Sequence, residues 1–234
     1  LDILKQVSEK GRDLGSIRIL TTDLEGYGFI FKSTFETLGI DLFLDERRPL
    51  HQARIIKSVL SLCMLFCKNF RRIDLLSYLK NSLHQDVGMD LDVFENYLLS
   101  QGINFGDFEK PFLDETMEEL RVAWVEPILA YRERFKESLS MGSFSALFLE
   151  LLKELEYPAK IEEEQRMYHE LHLHEEELVI AQGWNTLYEI LMQIKLLSDD
   201  TPVSFRDFKT ALEKAITEAT VGIIPPSEGR VTLA

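Results

Sequence analysis

The extended apolar segments of this chain sit at its two ends, and everything between them has helical spacing. Ile17 to Leu20 and Ile40 to Leu44 read as strands on either side of a helix, Leu24 to Leu38, that carries Tyr27, Ile30, Phe31, Phe35 and Leu38 and stops at Gly39. The third strand-like run, Arg230 to Leu233, comes nearly 190 residues later. A strand needs partners for its backbone N–H and C=O groups, and a parallel pair has to bury both faces. The first and last segments are therefore expected to pack together as one small α/β lobe, with the helical middle inserted between its strands. Residues 1 to 10 read as the tail of a further helix, stopped by Gly11.

After Pro49 the pattern is helix only. Ile55, Val59, Leu62 and Phe66 recur at the 3.6 period, as do Ile56, Leu60, Cys63 and Cys67, giving a helix apolar on more than one side. Ile73 to Leu79 and Leu91 to Leu99 follow, the latter with Leu91, Phe94, Tyr97 and Leu98 inward. Leu113, Met117, Leu120 and Trp124 mark another helix, which Pro127 bends or restarts. Ser143 is the expected cap of Phe144 to Leu155, closed by Tyr157-Pro158. A single helix is expected from about Glu162 to Leu197, some 50 Å long at 1.5 Å per residue, weakest at Gly183. Ser204 and Asp207 suggest a capping box for a last helix through Phe208, Leu212 and Ile216. Trp124 and Trp184 are expected to be substantially buried.

A chain of 234 residues can bury about 70% of its unfolded surface, so the core is not limiting. Apolar runs break well before a membrane span, and no signal-peptide core is present; a reducing, cytoplasmic setting is expected. Cys63 and Cys67, four apart on an apolar helical face, read as core residues. With no initiator methionine at Leu1 and a strand-like GRVTLA at the other end, the chain reads as a piece of something longer. Net charge is −14, but the charge is segregated. Arg47 to Lys80 holds eight Lys or Arg (Arg47, Arg48, Arg54, Lys57, Lys68, Arg71, Arg72, Lys80) against Asp74 alone, whereas Asp107 to Glu177 holds nineteen acids and eight bases. Only the first stretch could face phosphate, and a solvated face is the simpler account of it.

Catalytic motifs are missing. There is no GxxxxGK[ST], GxSxG, HExxH or CxxC. The GYG at Gly26 to Gly28 falls early in a helix and reads as structural. His169 and His172 are helical neighbours, but on a continuous helix His174 points about 160° from His172, so the three would converge only at a break. No metal site is therefore assigned. His51 and His84 are isolated, and adjacent carboxylates such as Glu162 with Glu163 diverge by about 100°. The residues by themselves give a helical accessory or interaction domain without an active site.

Three ordered blocks carry a family resemblance. IRILTTDLEGYGFIFKSTFETLGIDLFLDERRPL, RRIDLLSYLKNSL with LDVFENYLLSQGI, and VGIIPPSEGRVTLA resemble the B subunit of the bacterial ATP-dependent helicase/deoxyribonuclease (AddB/RexB). The part resembled is its second RecA-like helicase domain and the helical accessory domain inserted there. The chain departs from the family at HQARII after Pro49-Leu50, where a His-Pro pair is usual. Thr22 stands where related helicases often place an arginine, which fits the family's description as a helicase-like module without ATPase function.

The resemblance implies a fold that is mainly α with a small α/β lobe. Residues 1–48 would be a partial RecA-like segment, 49–222 a helical accessory domain and 223–234 the return strand. It implies a non-catalytic, helicase-like region of a complex that resects DNA ends in double-strand break repair and recombination. The partners implied are the A subunit and, through the full complex, double- or single-stranded DNA, with no membrane. ATP, Mg²⁺ and, as an option, an iron–sulfur cluster are implied for the complex, outside this chain. The expected DNA-backbone contacts are Arg47, Arg48, Arg71 and Arg72, because scattered cations on helices meet phosphates rather than base edges. The alternative is a helical protein-interaction module with no direct DNA contact.

Overall fold

The computed structural model describes residues 14–40, 42–44, 47–83, 88–104, 106–222 and 231–233. The expected first helix, residues 1–10, lies outside them. The chain divides into two compact units, one formed by residues 1–48 with 221–234 and the other by 49–220.

The first unit is built on a three-stranded parallel sheet in the order β1-β5-β2. β1 (Arg18–Ile19) and β2 (Leu42–Leu44) flank β5 (Val231–Leu233), with Ile19 opposite Leu233 on one side and Phe43 opposite Thr232 on the other. The strand from the far end of the chain is thus the central one, as strands without local partners require. Parallel neighbours need a crossover, and α1 (Leu24–Thr37) stands between β1 and β2 in sequence. Asp23 caps α1 by accepting the Gly26 N–H at 2.8 Å. A side chain at Gly26 would put its Cβ 2.4 Å from the Asp23 carboxylate, so this glycine makes room for the cap. The other end closes by a Schellman motif: Ile40 N–H donates to Phe35 O and Gly39 N–H to Glu36 O, with Gly39 at φ +65°. That turn brings Ile40 back onto Phe35, and the two pack with Val231 as the core.

A separate two-stranded sheet joins β3 (Arg47–Pro49) to β4 (Thr220–Gly222), and Leu50 N–H donates to Ala219 O at 3.0 Å. The two ends of the helical segment are therefore held side by side.

The second unit contains α2 (Arg54–Cys67), α3 (Arg72–Asn81), α4 (Gly88–Ser100), α5 (Glu115–Trp124), the short α6 (Glu126–Leu129), α7 (Met141–Glu154), α8 (Tyr157–Glu170), α9 (His174–Leu197) and α10 (Phe205–Glu218). α9 packs along α8 and α7, and α2 packs on α3, α9 and α10. Both apolar ridges of α2 are covered: Ile55, Ile56, Val59, Leu62, Cys63 and Leu65 are all buried. Two glycines set helix spacing. A Cβ on Gly183 of α9 would lie 3.2 Å from Ile55 Cγ2 of α2, and one on Gly142 of α7 would lie 2.4 Å from Ser198 Oγ. Gly183 thus gives up about 1 kcal/mol of helix propensity for close contact, and is a packing position rather than a weak point. Ser145 Oγ donates to Leu191 O at 2.5 Å and ties α7 to α9. Where α7, α10 and the turn before α7 meet, Phe135, Phe144, Phe148, Phe205 and Phe208 form an aromatic cluster, with Phe135 and Phe205 rings 4.5 Å apart.

Several expectations need correction. The helix drawn from Glu162 to Leu197 is two helices: His172 takes φ +58°, Leu173 N–H donates to Tyr168 O at 2.8 Å, and His172 N–H donates to His169 O at 3.1 Å. This is a Schellman closure with histidine in place of glycine, and α9 folds back on α8. Ser140, not Ser143, caps α7, its Oγ accepting the Ser143 N–H. Tyr157-Pro158 opens α8 rather than closing α7, because proline is well tolerated in a first turn. Leu113 precedes α5, which Asp114 caps, and is fully exposed. Trp124 and Trp184 are mostly covered, as expected, Trp124 packing on Phe94 and Trp184 on Tyr188. The capping box at Ser204 and Asp207 is present, with both reciprocal bonds.

Two carboxylates of the helical unit sit in contrasting arginine pairs. Glu164 is buried and pairs with Arg54, whose other guanidinium nitrogen donates to Ser82 O at 3.2 Å. Burial pushes the Glu164 carboxyl up, against the pull of Arg54, and its Oε2 has no hydrogen-bond partner. Arg54→Met is expected to cost about 3 kcal/mol, because it strands a buried carboxylate, and Glu164→Met in that background should recover most of it. A double-mutant cycle in urea melts measures this; additive effects would mean the pair is not coupled.

Glu118 accepts two hydrogen bonds from Arg121, at 2.7 Å each, and one from Phe112 N–H. The Arg121 hydrogen bonds, and then the backbone N–H, hold its pKa down to about 2. A carboxylate depressed in the fold contributes stability above its unfolded pKa of about 4.3 and loses it as pH falls toward 2. Glu118→Gln should flatten the acid limb of the stability profile between those values, measured by urea melts across pH.

Candidate nucleic-acid interface

The basic stretch runs through β3, α2 and α3, and four of its eight cations are already engaged. The backbone of Arg47 and Arg48 forms β3; their side chains lie outside the described set. Arg54 is held by Glu164 and Ser82 O. Arg71, half-exposed before α3, makes a two-pronged bond to Asp74 at 2.5 and 2.8 Å, and this bond raises its pKa further. Arg72 donates to Ile103 O at 3.1 Å, and Lys80 pairs with Glu95 at 2.6 Å. Lys57 and Lys68 are exposed and take no carboxylate partner among the described residues. Of the four arginines singled out from the sequence, Arg71 and Arg72 are thus adjacent, partly exposed and internally tethered. A tethered guanidinium keeps its charge and some free N–H donors, so it can still meet a phosphate, at reduced strength.

A cavity of about 610 Å³ opens beside the C-terminal end of α2, within this stretch. Phe66, Phe135 and Phe205 form its floor, and Asn69, Arg132, Lys136 and Arg206 stand around it with Glu137. Arg132 donates to Asn69 Oδ1 at 2.7 Å and pairs with Glu109; Lys136 bonds Glu133 at 2.5 Å. Arg206 is exposed. Sequence reasoning missed these cations because they sit in or beyond the acidic stretch and reach the Phe66 end of α2 only through tertiary folding. An aromatic floor under a cationic rim suits a phosphate or a flat ring.

It does not suit nucleophilic catalysis through Cys67. Burial pushes the Cys67 thiol up despite nearby Lys209 and Arg206, which leaves it protonated. Cys63, fully buried, is raised well above its ordinary value by burial and by Cys67.

At the opposite end of α8 the helix break changes the histidine geometry. His169 Nδ1 and His174 Nδ1 lie 3.1 and 3.4 Å from the same oxygen, Glu177 Oε2. His172 stands nearby, its ring centroid 6.2 Å from that of His174. The hydrogen bond to His169, and secondarily that to His174, keeps the Glu177 carboxyl below its ordinary range. Divergence of the histidines held only for a continuous helix; the chain reversal at His172 removes it.

No family model matches the chain. Over 98% of its length it is 29% identical to the B subunit of the ATP-dependent helicase/deoxyribonuclease of Clostridium botulinum strain Hall, and it spans 22% of that protein. The proteins of the same name from Ruminiclostridium cellulolyticum and Alkaliphilus oremlandii are 27% and 24% identical, with the same coverage. These matches are to proteins of one kind, the B-type component of a helicase/deoxyribonuclease. The resemblance seen in the sequence is thereby shown: the chain is homologous to one segment, about a fifth, of the B subunit of the ATP-dependent helicase/deoxyribonuclease. Among the described residues, no helix is long and apolar enough to cross a membrane.

The thiol environments give a direct check on α2. In the native chain Cys67 should alkylate slowly and Cys63 only on unfolding, read by mass spectrometry after iodoacetamide. Rapid native labelling of Cys63 would mean that α2 buries a different face.

Proposed function

We propose that this chain is the helicase-like region of such a B subunit, with its helical unit inserted between strands of a RecA-like domain. It would act without catalytic groups of its own in a complex that resects DNA ends for double-strand break repair and recombination. The observation that carries this reading is the parallel sheet whose central strand comes from the far end of the chain, in a sequence similar over 98% of its length to helicase/deoxyribonuclease subunits. Insertion of a helical domain into an α/β domain requires that connectivity. On this reading the protein is cytoplasmic, its partners are the A subunit and DNA, and ATP, Mg²⁺ and any iron–sulfur cluster belong to parts of the complex outside these 234 residues.

DNA contact on this reading is made to phosphates through Arg47, Arg48, Arg71 and Arg72, with the exposed Lys57 and Lys68 adding charge. The repulsion from a net charge of −14 is screened beyond about 8 Å at physiological salt, so contact depends on local cations. The test is a salt titration of the assembled complex on a duplex with a single-stranded tail. Arg71→Ala with Arg72→Ala, and then all four arginines replaced, should each weaken binding, with the log–log salt slope falling by about 0.7 to 0.9 per lost phosphate contact. An unchanged affinity and slope in the fourfold variant would make the stretch a solvated or partner-facing surface and the helical unit a protein-interaction module.

A further inference from the structure

We propose that the α8–α9 turn is a binding site for a late first-row divalent cation, zinc being the biologically common one, with His169, His174 and Glu177 as ligands. The site lies wholly within the helical unit and does not depend on the DNA-binding reading.

Three donor atoms from these residues all lie within 4.8 Å of one another. Two imidazole nitrogens already face a single carboxylate oxygen, at 3.1 and 3.4 Å. Ligands bound at about 2.0–2.1 Å around a tetrahedral zinc stand roughly 3.3–3.4 Å apart, so the group needs only small side-chain rotations to close on an ion. Imidazole with carboxylate selects zinc, cobalt, nickel or copper over magnesium and calcium.

The backbone supplies the preorganisation. His174 lies five positions after His169, and on a continuous helix that spacing would point them about 140° apart. The left-handed residue His172, at φ +58°, reverses the chain so that one ligand comes from the last turn of α8 and two from the first turn of α9. Such a site spans a hairpin, and an ion in it would pin α9 against α8. Outside the three ligands, an open cavity of about 530 Å³ is lined by Glu162 and Glu170 as well as Arg166. The two carboxylates outnumber the guanidinium, and the space admits the water molecules that would complete the coordination shell.

The ligand nitrogens are the Nδ1 atoms, which leaves Nε2–H toward solvent. Protons compete with the ion for the imidazole and carboxylate donors, so binding should weaken as pH falls.

The experiment uses the untagged 234-residue chain, because an affinity tag of histidines would bind the same ions. Isothermal titration with Zn²⁺ should show one ion per chain with a Kd at or below about 0.1 mM, and Co²⁺ should give visible d–d absorption that Zn²⁺ displaces. His169→Gln and His174→Gln should each weaken binding at least about tenfold, and the two together should abolish it. Glu177→Gln should weaken it and change the Co²⁺ spectrum. His51→Gln should change nothing. All three ligands are at least partly exposed, and unaltered circular dichroism of the variants confirms that the fold survives. Saturable binding that persists in the double variant, that responds to His51→Gln, or that is absent up to about 1 mM Zn²⁺ would overturn the proposal.

Discussion

The sheet unit depends on β5. β1 has two residues and β2 three, and both pair with β5 rather than with each other. Removing β5 leaves two short strands with no ladder and takes Val231 out of the core it shares with Phe35 and Ile40. Parallel pairing across roughly 190 residues would cost about 4 to 5 kcal/mol in loop-closure entropy for a flexible chain, before the small constant term. The helical unit removes most of that cost. Once it is folded, Leu50 N–H is bonded to Ala219 O and β3 pairs with β4, so only a few residues at each side remain to be closed. Local helices that bring their own ends together thus make possible a sheet that local interactions could not build.

Within the helical unit, close approach and burial fall at positions where chemistry is restricted. Gly183 brings α2 against the middle of α9 and Gly142 brings α7 against its C-terminal end, and the space they leave is filled by the facing residues rather than by side chains of their own. The unit also retains charge in its interior. Glu164 is buried with a single guanidinium and a second oxygen that has no partner, an arrangement that adds little net stability but is costly to break on one side only. Arg121, also buried, is in contrast fully served, by Glu118 and by Phe108 O. The two sites show the same residue types under opposite satisfaction, with the expected result that Glu164 is pushed up and Glu118 down.

Much of this fold was legible because it is written in local periodicity. The double ridge of α2, the inner face of α4, the restart at Pro127 and the capping box at Ser204 each rest on a few adjacent residues. The pairing of the chain ends was legible for a different reason, since strands without local partners must find distant ones. What could not be read was the stop after Glu170. No glycine or proline marks it, and a histidine in the left-handed conformation carries no strong sequence signal; the break follows from α9 folding back along α8. The cations around Phe66, Phe135 and Phe205 were invisible because they come from two segments, both remote in sequence from Phe66.

Charge distribution, rather than net charge, limits what the surface can do. The eight bases between Arg47 and Lys80 looked like a free positive field in the sequence, but Arg54, Arg71 and Lys80 are matched to carboxylates of Glu164, Asp74 and Glu95. Each such pair cancels most of its field beyond a few ångströms, and salt screens what remains. Three of the eight bases are thus offset, and the stretch, still basic, is set in a chain of charge −14, so its positive field is weaker than the composition suggests. What survives is short-range chemistry: guanidinium N–H groups of Arg71 and Arg72 that remain available beside their internal bonds, and the exposed ammonium groups of Lys57 and Lys68. Groups of that kind act only on an anion already within a few ångströms, because salt screens their reach beyond that.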